Sequence, residues 1–201
     1  AAEDAAGMKH HEPLDRGSMV VGSDRRIVGA AARAGKETHR FGRVTTMSDT
    51  LATLANLVRR PSVNPMGRDV SGPEYLEGRV TEYLVQRFAA AGLPCLRQKV
   101  SPGRENVVAR LEATVPAAPV ILWDAHQDTV PADGMTIDPF TPAVCDGRLS
   151  GRGSCDVKGG MAAMLVAIDR LRASDAARHA TVIFAATVNE EFGFSGAKAV
   201  A

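Results

Sequence analysis

The sequence predicts an α/β layered domain, on three observations. Apolar stripes at helical spacing alternate with short β-prone runs. The segment Thr181–Val188 (TVIFAATV) reads as a buried strand flanked by such stripes. Composition is that of a packed domain, 45% hydrophobic and 23% charged over 201 residues. That balance excludes wholesale disorder and collagen-like repeats. A net charge of +1 offers no basic field for nucleic acid or an anionic membrane. The longest apolar runs, such as Met161–Ile168, are too short to cross a bilayer. Residues 1–20 carry charges throughout and no apolar signal region. Three scattered cysteines make neither a disulfide framework nor a zinc knuckle, so a cytoplasmic setting is expected.

Residues 1–46 lack apolar periodicity and mix Gly, Ala, Arg and isolated charges. They are expected to form a poorly ordered N-terminal tail, because they bury too little apolar surface to offset ordering entropy. The folded part is expected to be 47–201. Ser48 or Asp49 can cap a first helix with Leu51, Leu54, Leu57 and Val58 on one stripe, ending before Pro61. Ser62–Met66 is a loop. Ser71-Gly-Pro-Glu is expected to open a second helix carrying Leu76, Val80, Leu84 and Phe88, closed by Gly92-Leu-Pro. Asn106–Leu111 and Val120–Trp123 read as strands, and Asp133–Gly153 as loop. Met161, Met164, Leu165, Ile168 and Leu171 mark a third helix, with Met161 and Met164 expected in the core.

Three clusters carry chemistry. His126 and Asp128 follow a strand at i and i+2 and so share a face; a metal-bound imidazole needs a partner to fix its tautomer. Taken alone, those residues read more readily as an inert surface strand end. Asp156 sits in Gly151-Arg-Gly-Ser-Cys-Asp-Val-Lys-Gly-Gly160, a tight turn that would leave a carboxylate free to bridge cations or to cap the next helix. Glu190 and Glu191 end the TVIFAATV strand, where adjacent carboxylates need a proton, a cation or solvent. Together the three make an oxygen-rich site with one nitrogen ligand, suited to zinc, with manganese or cobalt as alternatives. Arg152 and Lys158 flank Asp156, with charge balance around a carboxylate-rich pocket as the simple alternative to any catalytic role. Cys155 is expected to be a small buried filler. Asp124 is left out of the site, although it faces the same way as His126 if the strand continues.

Asp124-Ala-His126-Gln-Asp128-Thr-Val-Pro, Asp138-Pro-Phe140, Asp146-Gly-Arg-Leu-Ser-Gly-Arg-Gly153, Asp156-Val-Lys-Gly-Gly160 and Asn189-Glu-Glu191 resemble the dinuclear zinc deacylases and exopeptidases, the family of acetylornithine deacetylase, succinyl-diaminopimelate desuccinylase, aminoacylase and carboxypeptidase G. The resemblance runs from Ser48 to Ala201. It implies a three-layer α/β/α sandwich with a mixed, largely parallel sheet, present only in its N-terminal half. It implies His126 as ligand of one zinc, Asp128 as its orienting carboxylate, Asp156 as bridge, Glu191 as ligand of the second zinc and Glu190 as general base. It also implies two further ligands, a later carboxylate and a late histidine, and a lid domain with dimer contacts, all beyond Ala201. The function implied is deacylation of an N-acyl amino acid. Dipeptidase or aminopeptidase-like cleavage, and a non-catalytic metal-binding fragment, are the alternatives.

Overall fold

The computed structural model describes residues 47–201; the expected tail, 1–46, lies outside the described residues. Ten elements follow in order. They are α1 (Met47–Val58), α2 (Gly78–Ala90), β1 (Cys95–Ser101), β2 (Arg104–Leu111), β3 (Val120–His126), β4 (Ala143–Cys145), β5 (Arg148–Ser150), α3 (Lys158–Ala173), β6 (Thr181–Thr187) and α4 (Ser195–Val200). Strands pair in the order β1-β2-β6-β3, and β4-β5 form a separate hairpin. The sheet is mixed. Its β3–β6 pairing is parallel, with α3 in the crossover, while β1–β2 and β2–β6 are antiparallel. Parallel pairing is thus one of three in this four-stranded sheet, where β1 and β2 join through a tight hairpin rather than a helix.

One face of the sheet carries the core. Leu57 of α1, Leu84 and Phe88 of α2, and Met161 and Leu165 of α3 pack on Val107, Ala125 and Phe184. Phe88 meets Phe184 edge-on with centroids 5.7 Å apart, a geometry aromatic quadrupoles favour. The opposite face is met by α4, onto which Gln98 and Asn106 donate through Ala199 O and Gly196 O. Helices therefore lie on both faces, the three-layer arrangement. Elsewhere on the second face Leu96, Val120 and Leu122 are exposed.

Two expectations about elements are corrected. Helix α2 starts at Gly78 rather than near Ser71. Val63 intervenes: its N–H donates to Glu74 O at 2.8 Å and its carbonyl accepts from Leu76 N at 3.0 Å, so 74–76 is tied to Val63 by a β-bridge at Tyr75 and not by helical bonds. Leu76 sits at φ 60, a left-handed turn into Glu77, the N-cap. β1 and the β4–β5 hairpin occupy stretches with weak or no strand pattern. β1 is an edge strand whose Leu96 faces solvent, so its composition shows little alternation.

Candidate metal centre

Strand β3 delivers His126 to the C-terminal edge of the parallel pair, where open α/β sheets place their sites. The chain is pinned there from behind. Gln127, fully buried, points away from His126 and donates to Glu105 O at 3.0 Å and Ala186 O at 2.8 Å. Its carbonyl accepts from Ser62 Oγ at 2.7 Å. With the strand end fixed, the imidazole and Asp128 turn to the other side.

His126 Nδ1 lies 3.0 Å from the backbone carbonyl of Asp128. A carbonyl only accepts, so Nδ1 is the donor in this contact and Nε2 is the ring atom turned toward the carboxylates. The carboxylate of Asp128, expected to orient the ring, stands further away at 3.7 Å; the main chain makes the closer contact. Nε2 faces Asp156 Oδ1 at 3.0 Å and Glu190 Oε2 at 3.8 Å. Two lone-pair atoms at 3.0 Å repel unless a proton or a cation lies between them. One ligand atom each from His126, Asp156 and Glu191 fall within 4.8 Å of one another, and bonds of about 2 Å from a single ion reach atoms so spaced. The donor set fits a divalent cation.

Asp156 is exposed and does not cap α3: the N-cap is Val157, with no side-chain capping bond. That leaves its carboxylate free. Lys158 turns away from it, contrary to the charge-balancing alternative. It is fully buried and donates from Nζ to Leu57 O at 3.0 Å and Arg60 O at 2.8 Å, where α1 ends. Burial, with Arg60 nearby, pushes its amine down to about 7. Cys155 is exposed rather than buried, since the turn directs residues 155 and 156 outward. Asp124 accepts from Thr187 Oγ1 at 2.9 Å.

Glu190 and Glu191 lie beyond β6, in a turn entered through Asn189 at φ 60. Strand alternation therefore does not separate their side chains. The turn's amides are held by Asp128: Glu190 N donates to Oδ1 at 3.1 Å and Glu191 N to Oδ2 at 3.2 Å. Burial raises Glu191, His126 opposes this, and Asp156, Asp128 and Glu190 add to the rise. Four carboxylates thus surround one imidazole. Of the residues that back this turn, Asn189 was quoted in the Asn189-Glu-Glu191 motif and Asn64 lay in the Ser62–Met66 loop, while Glu77 and Arg104 are absent from the sequence expectations.

An α/β domain with a His–Asp–Glu cluster at its sheet edge has the donor set of a candidate metal centre. The model of peptidase family M20/M25/M40 matches residues 122–201, a stretch containing every ligand candidate. Over those residues the chain is similar to that family. A probable succinyl-diaminopimelate desuccinylase of Staphylococcus epidermidis is 32% identical over 161 residues, covering 79% of this chain and 36% of the relative. Succinyl-diaminopimelate desuccinylase of Acinetobacter baylyi is 34% identical over 147 residues, 72% of this chain and 35% of the relative. The chain thus spans about a third of the length of these relatives. Among solved structures, aminopeptidase PepT of Bacillus cereus superposes with a TM-score of 0.59 at 25% identity, over 76% of this chain and 39% of that one. Human carnosine dipeptidase 1 gives 0.63 at 21% identity, over 76% and 34%, a likeness of fold. Among the described residues no helix is long and apolar enough to cross a membrane.

Proposed function

We propose that this chain carries the metal-binding half-site of an amide hydrolase acting on N-acyl amino acids. The observation that carries the reading is the convergence of His126, Asp156 and Glu191 from three separate segments within 4.8 Å, crowded by further carboxylates. His126 Nε2 and oxygens of Asp156 and Glu191 would hold the ion. The mixed nitrogen and oxygen set favours zinc, with cobalt or manganese as alternatives, and Asp156 is open enough to bridge to a second ion. A bound cation supplies Lewis acidity, polarising a carbonyl oxygen and acidifying water.

The remaining steps belong to the chain. The Asp128 carbonyl keeps the proton on Nδ1, so Nε2 stays a ligand. Glu190, half-buried with its Oε2 at 3.8 Å from Nε2, overhangs the same space as general base. It takes a proton from the attacking water as the C–O bond forms, then delivers it to the amine nitrogen as the C–N bond breaks. The desuccinylase relatives support an acyl group on an amino acid as substrate; the likeness to an aminopeptidase supports a short peptide as second reading.

The test compares Glu190→Gln with Glu191→Gln and His126→Ala. Glu190→Gln is expected to keep its metal content while hydrolysis of N-acyl amino acids drops by about 10²–10⁴-fold, the usual worth of positioned proton transfer. Glu191→Gln and His126→Ala are expected to lose metal. If Glu190→Gln loses metal while Glu191→Gln keeps it, the two roles are reversed. Stoichiometric metal with no hydrolysis of acyl or peptide amides would leave the non-catalytic reading.

A further inference from the structure

Behind the metal centre, the buried polar side chains close into one ring that the chemistry above does not use. Glu77, at the N-cap of α2, accepts on Oε1 from Arg104 Nη1 at 3.1 Å and from the backbone N–H of Asn189 at 3.2 Å. Arg104 Nη2 donates to Asn64 Oδ1 at 3.4 Å. Asn64 Nδ2 donates to Asp128 Oδ2 at 2.7 Å and to Asn189 Oδ1 at 2.9 Å. Asp128 closes the ring on the amides of Glu190 and Glu191. Asn64, Glu77, Arg104 and Asp128 are all buried.

Three consecutive amides, 189, 190 and 191, therefore end on two buried carboxylates. The strand ladder cannot hold them, because β6 stops at Thr187 and the backbone turns left-handed at Asn189. A buried ion pair such as Arg104–Glu77 adds little net stability, since desolvation offsets most of the attraction. What it adds here is direction. Arg104 spans from Glu77 to Asn64, and Asn64 has its amide oxygen occupied by Arg104 and Met66 N. Its amide nitrogen must then face Asp128 and Asn189, so the orientation of each member follows from its neighbours.

We propose that Asn64, Glu77 and Arg104 are positioning residues. Acting through Asp128, they preset the 189–191 turn, so that the Glu190 and Glu191 carboxylates face His126 and Asp156 before any cation arrives. This rests on the metal-site reading above for its purpose, though not for its test. A ligand turn held in advance spends less binding free energy on ordering, and loss of such outer partners typically costs about 10–100-fold in metal affinity.

The test uses two variants of this chain. Asn64→Leu keeps volume and removes the amide. Asp128→Asn keeps shape, but three donors converge on Asp128 (Asn64, Glu190 and Glu191), and either orientation of an amide turns NH₂ against at least one of them. Amide hydrogen exchange, followed by NMR in the metal-free protein, needs no ion. Exchange at Glu190 and Glu191 is expected to rise about tenfold or more while the Phe184 amide in β6 keeps its protection. Co²⁺ titration is expected to show affinity about 10–100-fold weaker. Unchanged exchange at 190 and 191 in the folded variants overturns the proposal. Equal acceleration at Phe184, or unfolding of both variants, also overturns it, since the ring would then hold the fold and not the turn. If the unsubstituted chain binds no Co²⁺, the metal reading fails, and the exchange result still decides whether the ring presets the turn.

Discussion

Replacing Glu77 by Gln should abolish a specific pH dependence of stability. Glu77 is fully buried, and both of its donors, Arg104 and the Asn189 amide, reach the same oxygen. Its Oε2 is buried with no partner, so ionisation spreads charge onto an atom that nothing stabilises. Burial therefore outweighs Arg104, and Asp128 adds repulsion, raising the group from 4.5 to about 7. The folded protein then holds a proton between these values that the unfolded chain releases. The stability that this group contributes is fully present below pH 4.5 and is lost as pH rises through about 7. At roughly 1.4 kcal/mol for each pH unit, the loss approaches about 3 kcal/mol. Glu77→Gln keeps an oxygen for Arg104 and Asn189 and removes the titration. Urea unfolding of both metal-free proteins from pH 4.5 to 7.5, compared as a difference, cancels the other groups. The unsubstituted protein should lose about 3 kcal/mol relative to the variant across that window. A flat difference refutes the reasoning. A carboxyl depressed by Arg104 would give that flat line, since its titration would lie below pH 4.5.

Lys158→Met should lower the unfolding free energy by about 1–3 kcal/mol in urea titration, because Leu57 O and Arg60 O lose their donor; unchanged stability would show that water replaces it. Gly196→Ala should be more damaging. A methyl there would stand 2.3 Å from Val188 N and 2.4 Å from Val188 O, which are backbone atoms and cannot swing aside. The expected cost is about 1–3 kcal/mol or more, read as a lower urea midpoint, with α4 displaced from the sheet.

The elements whose period is local were legible in the sequence. The Leu51–Val58 stripe became α1, Met161–Ile168 lies within α3, and TVIFAATV became β6 followed by the Glu190–Glu191 turn. The convergence of His126, Asp156 and Glu191 was expected too, from their placement at strand ends and a glycine turn. Other features were not. β1 forms only because β2 returns against it, and an exposed edge strand imposes little alternation on its residues. The start of α2 depends on Val63, which ties down residues 74–76. The atom that holds His126 is a carbonyl, and carbonyls carry no sequence signature. Lys158 sits two positions from Asp156 in the chain, yet its amine ends on α1. Asn64, Glu77 and Arg104 meet across gaps of 27, 40 and 64 residues to their partners. Periodicity reports which face of an element is apolar; it says nothing about which polar groups find each other once those faces pack. Burial makes that choice, because each polar group removed from water must find its partner among the few within reach.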